Sequence, residues 1–273
     1  MIRCLTGFLT LLAITAHAAD WRDTLTPIQP GKFPPPRPFK AVYRFGWSGL
    51  TAAEANFDLT RVPRGQLRLV MSTKTIGAVR ALWRMDSQHT ALCTAATLRP
   101  VSLRQTEVYK DETETVNAQF SPEGVVRQTQ VTPAKEPQKE RRFKSPSLFD
   151  FQTAIFFIRS QPLQEGDRYR ILVYPEKAPY LTDVQVIGRE KVKVPAGTFD
   201  AVKCQIWLQG VSKKYELEPH KKFKRAYAWL SDDKDRTLLK IDAQIFVGSV
   251  WAELQSVEYP NQDVAQTTQR SSQ

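Results

Sequence analysis

The chain is expected to form an all-β or β-dominated domain: a large curled antiparallel sheet, an open or half barrel, with one principal α-helix packed on or in it. Three observations carry this expectation. Apolar residues alternate with a period of two through ten or more segments, turn-forming clusters separate those segments at meander spacing, and one segment alone carries a helical stripe. A sheet of that many strands tends to curl. A curled sheet whose open side meets an apolar helix encloses a cavity; two stacked sheets with a filled core are the alternative.

Residues 1–18 have the form of a cleavable export signal. Arg3 supplies the positive start, Leu5 to Ala16 the apolar run, and Ala16-His17-Ala18 a small-x-small cleavage site. The run falls short of the ~20 apolar residues that span a bilayer, and no later stretch approaches that length. A soluble exported protein, in the periplasm or secreted, is therefore expected. Cys4 lies too early to serve as a lipid-attachment cysteine. Residues 19–39 are Pro-rich, from Pro27 to Pro38, and are expected to form a linker or a strap across the surface. Residues 40–259 are expected to form a single β-rich domain, and 260–273, poor in apolar residues, a disordered tail.

Within the β-rich region, Leu50–Thr60 places Ala53, Ala55, Phe57 and Leu59 on one face. Leu67–Thr73 follows the turn Pro63-Arg64-Gly65 with the same period. Further strands are expected over Arg84–Leu92, Leu103–Tyr109, Thr115–Phe120 and Val125–Val131, the last two joined by Ser121-Pro122-Glu123-Gly124. The helix is expected over Leu148–Ser160, with Ser147 as cap and Asp150 as capping-box acid. Phe151, Ile155 and Ile158 form its stripe, which Leu148, Phe149, Ala154, Phe156 and Phe157 widen almost to the full circumference. Such a helix must be buried or must cover something. Strands resume over Tyr169–Tyr174, Val184–Val194, Phe199–Leu208, Arg225–Leu230, Leu238–Phe246 and Val250–Tyr259.

The formal charge of +11 is a clear basic excess. Outside the cytosol, anionic lipid head groups, acidic glycans or peptidoglycan are the fitting counter-charges, and solubility alone is the plain alternative. Export removes nucleic acid as a partner. Cys93 and Cys204 remain after cleavage, either as a disulfide or as two buried free thiols.

No catalytic set is assigned. Only His89 and His220 follow the leader, without a Gly-x-Ser-x-Gly elbow or a Ser-x-x-Lys motif. Asp232, Asp233 and Asp235 are dense enough to suggest a glycosidase pair or a calcium loop, but turn chemistry accounts for them. No zinc spacing, phosphate loop or dinucleotide fingerprint is present, so no metal or cofactor is expected. Glu54 and Glu190 fall among residues that otherwise look inward-facing. Each then needs a partner such as Arg159 or Arg189, or a ligand. Trp47, Trp83, Trp207, Trp229 and Trp251 suit a core or a pocket lining. The segment with Lys213, Lys214, Lys221, Lys222, Lys224 and Arg225, interleaved with Tyr215 and Phe223, suits an anionic membrane surface or glycolipid, with a solvated loop as the bland reading.

Several blocks carry a family likeness. They are Tyr43-Arg44-Phe45-Gly46-Trp47-Ser48-Gly49 running into Ala52-Ala53-Glu54-Ala55; Asp150 with Ala154 and Arg159; and Leu163-Gln164-Glu165-Gly166-Asp167. Beside these stand Val186 to Phe199, Trp229-Leu230-Ser231-Asp232-Asp233, and Gly248-Ser249-Val250 with Glu253-Leu254. From about residue 40 to 258 the chain resembles the exported bacterial proteins grouped as domain of unknown function 3108. The resemblance implies a half-open β-barrel similar to periplasmic carriers that shield lipoprotein acyl chains, and by analogy a binding role. The basic segment around Lys213-Lys214 and His220 to Arg225 is longer and more charged than the family pattern, and the proline-rich lead lies outside it.

The expected function is thus non-enzymatic binding of an amphiphilic or lipidic cell-envelope component. The candidate ligand-binding residues are Trp47, Glu54, Phe151, Ile155, Ile158, Arg159, Glu190 and Trp229, with the lysine-rich segment for an anionic head or surface. The alternatives are an interaction module of envelope assembly and a glycan hydrolase using Glu54, Glu190 or the Asp232 cluster.

Overall fold

Sixteen strands form one sheet in the computed structural model, which describes residues 20–134, 137–175, 178–220 and 223–260. The expected leader and most of the expected tail lie outside the described residues. The first half is an antiparallel meander of β1 (Phe39–Trp47), β2 (Leu50–Val62), β3 (Gln66–Thr75), β4 (Met85–Thr94), β5 (Pro100–Tyr109), β6 (Glu112–Ser121), β7 (Gly124–Thr132) and β8 (Lys139–Lys144). A short helix, α1 (Gly77–Leu82), sits between β3 and β4. Then come β9 (Leu148–Phe149), the main helix α2 (Phe151–Ser160), β10 (Arg168–Val173), β11 (Tyr180–Val194) and β12 (Gly197–Val211). The chain continues with β13 (Leu217–Pro219), β14 (Phe223–Ser231), β15 (Leu238–Ile245) and β16 (Ser249–Glu258), and β16 returns to pair with β1.

The sheet curls without closing, so the fold is β-dominated and half-open, as expected. Its edges are β8 and β9. Side chains from the two halves nevertheless meet: Val125 of β7 shares a cluster with Leu148, Leu172, Leu181 and Val211. The N-terminal strap runs along this seam. Trp21 donates its indole N–H to the Tyr215 carbonyl at 2.8 Å, and Thr26 N–H donates to the Arg170 carbonyl at 2.9 Å.

Because the strands alternate in direction, the connections after β1, β3, β5, β12 and β15 all lie at one end of the barrel, and those after β2, β4, β6 and β14 at the other. The second end is plugged. Phe156 of α2 packs with Leu67, Leu69, Cys93 and Leu98, and Phe157 packs with Val186, Val202 and Leu230. The strap then crosses the last turn of α2, where Gly31 N–H donates to Ser160 Oγ at 3.1 Å and Phe33 N–H to the Ser160 carbonyl at 3.2 Å.

Two expectations need correction, and one pair of alternatives is decided. The helix begins at Phe151, because Asp150 is itself the cap and accepts from Thr153 N–H at 2.9 Å; Leu148 and Phe149 are pulled into β9, paired in parallel with Leu172 and Val173. Ser147 therefore caps nothing. Cys93 on β4 and Cys204 on β12 are separate, buried, free thiols rather than a disulfide, since the strands that carry them are not neighbours in the sheet. Burial pushes both thiols up to about 12. Glu54 and Glu190 do not face inward. Glu54 sits opposite in phase to buried Ala53 and Ala55, 3.5 Å from Arg44, and Glu190 is exposed. A β-bulge at Gly188 shifts the phase of β11, so the end of the β11–β12 hairpin packs back on the sheet, where Ala196 N–H donates to the Leu254 carbonyl.

Candidate functional site

Two apolar cavities flank α2. The first, about 440 Å³, lies between the helix and β1–β5, lined by Phe45, Phe57, Met71, Met85 and Phe156. The second, about 610 Å³, lies between the helix and β10–β15, lined by Ile158, Ile171, Val184, Ile206 and Phe223. Phe151, Ile155, Leu238 and Ile241 line both. The strand alternation that builds the sheet sends its apolar residues inward from every side, and α2 is too short to fill the space they enclose. Each volume falls in the range of small-molecule pockets.

Polar groups in the first cavity cluster at its plugged end. Arg159 is 4 % exposed, and its Nη2 donates to the Asp235 carbonyl at 2.6 Å. Its Nε and Nη1 are buried with no hydrogen-bond partner among the described residues, and so is Gln152 Oε1, two turns earlier on the same face of the helix. Burial pushes the Arg159 guanidinium down to about 10. The Asp235 carboxylate is already taken by Arg37, in a two-pronged pair at 2.6 and 2.7 Å. Tyr43 donates its hydroxyl to the Leu238 carbonyl at 2.6 Å, and burial raises its pKa.

Toward the other end of the same cavity stand Ser87, His89 and Glu107. His89 Nε2 lies 3.2 Å from Glu107 Oε1, and Nδ1 lies 3.5 Å from Gln105 Nε2. The hydrogen bond from His89 holds the Glu107 carboxyl below the usual range. Both ring nitrogens are thereby occupied, and neither is left to activate Ser87. The acidic turn is similarly committed: Asp233 accepts from Ser231 Oγ and from the Asp235 and Arg236 N–H groups, and Asp232 pairs with Arg189 at 2.7 Å.

Of the residues singled out by sequence, Phe151, Ile155, Ile158 and Arg159 line the cavities, and Trp47, Glu54, Glu190 and Trp229 do not. Trp229 is buried where the β11–β12 hairpin packs back, and donates its indole N–H to Glu190 Oε1 at 2.6 Å; Lys203 completes that group. This hydrogen bond lowers the Glu190 pKa. Arg159 meets neither Glu54 nor Glu190. Lys213 and Lys214 are exposed in the β12–β13 turn, and Arg225 lies 5.6 Å over the Tyr227 ring. Lys221, Lys222 and the Lys224 side chain lie outside the described residues. Tyr43, Gln152, Leu238 and Ile241 were missed by sequence; the inward phase of β1 could have indicated the first, whereas Leu238 and Ile241 share the inward face only through the register shift in β15 between Leu238 and Lys240. Among the described residues, no helix is long and apolar enough to cross a membrane, and no three His, Cys, Asp or Glu side chains come together as metal ligands.

Fold and site together define a half-open β-barrel that holds two apolar cavities on either side of one helix. The chain belongs to the family described as protein of unknown function (DUF3108), whose profile matches residues 41–255. A β-barrel-like protein of the domain of unknown function DUF1849 from Brucella abortus has a similar fold. It superposes with a TM-score of 0.54 at 12% identity, over 82% of this chain and 98% of that one. More distant are a Bacteroides fragilis protein described as exported with a YmcC-like fold, and a Parabacteroides distasonis protein described as a lipoprotein. Their TM-scores are 0.37 and 0.34 at 11% and 10% identity, each over 84% of this chain and 99% of that one. No curated protein matches the chain significantly.

Proposed function

We propose that this protein is an exported, non-catalytic carrier that holds an amphiphilic or lipidic component of the cell envelope in the cavities beside α2. The observation that carries the proposal is the pair of apolar cavities themselves, about 440 and 610 Å³, left unfilled beside α2 within the sixteen-stranded sheet. Each buried methylene of a guest contributes about 0.8 kcal/mol, enough for stable holding without any reaction. The leader of residues 1–18 supports export. The unpartnered nitrogens of Arg159 support an anionic group, a carboxylate or phosphate ester, at the plugged end of the first cavity, where it supplies the acceptor the fold lacks.

Titration with a fluorescent long-chain fatty acid tests this. Saturable uptake by the wild-type protein is expected, with at least about tenfold weaker binding in Ile155→Trp, which fills the wall between both cavities. Arg159→Met is expected to weaken the fatty acid but not a neutral apolar dye. Absence of uptake, or uptake indifferent to Ile155→Trp, contradicts the proposal.

A further inference from the structure

The open end of the barrel carries large apolar side chains that none of the described residues covers. Leu82 is 86% exposed, Phe246 75% and Val247 59%, with Trp47, Leu50 and Trp83 each about half exposed. They come from three separate connections, after β1, β3 and β15, which the sheet register brings together: Trp47 pairs with Val250, and Ala53, three residues past Leu50, pairs with Thr75 at the start of the α1 connection. The rings are held in place rather than loose. Trp47 Nε1 donates to the Val247 carbonyl at 3.0 Å, and Trp83 stacks on Tyr109 at 5.8 Å.

Two further features lie at the same end. Both cavities reach it, the first through Phe45, Ala53 and Met85 and the second through Tyr180, His220 and Phe223. Lys213, Lys214 and Arg225 of the basic segment lie there too, because the first two follow the end of β12 and the third stands near the start of β14, and Phe223 pairs with Ile245, next to Phe246. Over residues 213–225 six Lys and Arg stand against Glu216 and Glu218. Elsewhere on this rim Asp86 is neutralised by Arg80 and Arg84.

We infer that this rim docks on the surface of an anionic lipid bilayer, setting the mouths of the cavities against the membrane. The apolar tips stand on neighbouring connections at the mouths of the cavities, beside Lys213, Lys214 and Arg225. A bilayer interface accepts each tip separately, favours Trp at that depth, and attracts the adjoining lysines. The inference deepens the carrier reading, on which it rests for its purpose, because loading and unloading an apolar guest then avoids water.

Co-sedimentation with phosphatidylcholine vesicles, with and without phosphatidylglycerol, tests it. The wild-type protein is expected to bind the phosphatidylglycerol vesicles more tightly, and Leu82→Glu/Phe246→Glu to bind at least about tenfold more weakly while keeping its thermal midpoint and its fatty-acid uptake. Ile155→Trp is expected to dock like wild type despite its weakened uptake, whereas docking by the wild-type protein without fatty-acid uptake overturns the carrier reading and leaves this one standing. No vesicle binding by wild type, equal binding with and without phosphatidylglycerol, or undiminished binding of the double variant overturns the inference. So does a lipid-free dimer in sedimentation velocity that the double variant abolishes, because a second copy then covers the rim.

Discussion

Arg236 reaches from the β14–β15 turn to the end of α2, where its Nη1 lies 2.7 Å from the carbonyl oxygen of Arg159. The same guanidinium donates to the Gln161 carbonyl and, at 3.0 Å, to that of Pro162. The last carbonyls of a helix have no partner of their own, and here they are buried, so one planar fork satisfies what a full turn of further helix would. Burial lowers the Arg236 pKa, and the Phe33 ring of the strap covers its outer face at 3.6 Å. Lysine cannot reproduce that fork. Arg236→Lys is expected to lose about 2–4 kcal/mol in urea unfolding; an unchanged midpoint contradicts this role.

Asp150 gives a pH dependence with a definite sign. Burial raises its carboxyl from 3.8 to about 6, against the opposing hydrogen bond from Thr153 N–H. The unfolded chain then releases the proton at lower pH than the folded one. Its contribution to stability is full below pH 3.8, falls as pH rises toward 6, and stays low above. Asn caps equally well and never ionises. Asp150→Asn is therefore expected to be more stable than wild type by about 1–3 kcal/mol at pH 8 and equal to it at pH 4, by chemical denaturation.

These two residues also show what the sequence could reveal. The period of two in β2, β3, β6 and β12, with turns such as Ser121 to Gly124, is a local signal, and the strands appear where it places them. Asp150 was visible as a polar residue ahead of an apolar run, but its choice over Ser147 depends on β9 pairing with β10, which joins Leu148 to Leu172 and Phe149 to Val173, far apart in sequence. Glu190 was misplaced because one extra residue at the Gly188 bulge reverses which face is inward, and a bulge leaves no mark in the alternation itself. Arg236 carried no signal at all. Nothing in Ser231 to Thr237 tells a solvated turn from one that clasps a helix, whereas the apolar stripe of α2 did announce the cavity-lining Phe151, Ile155 and Ile158.

The two thiols predict a labelling pattern. Buried at about 12, Cys93 and Cys204 are expected to resist iodoacetamide in the native protein and both to be alkylated in denaturant without any reductant. Peptide mapping distinguishes this from a disulfide, which leaves both unmodified until reduced.

Gly31 tests the strap. A Cβ there would lie 2.1 Å from the Ser160 carbonyl oxygen. Gly31→Ala is expected to lift residues 28–34 from α2, seen as faster amide exchange there and earlier proteolytic cleavage, with the strands of β11 and β12 unaffected. Unaltered exchange across the strap contradicts the contact.

The most direct test of a guest beside α2 is native mass spectrometry of the protein isolated from its own envelope without added lipid. The expected spectrum shows a discrete adduct whose fragments include an acyl chain, present in wild type and missing from Ile155→Trp. A spectrum of the bare polypeptide alone, under conditions gentle enough to retain a fatty acid added afterwards, contradicts the carrier account.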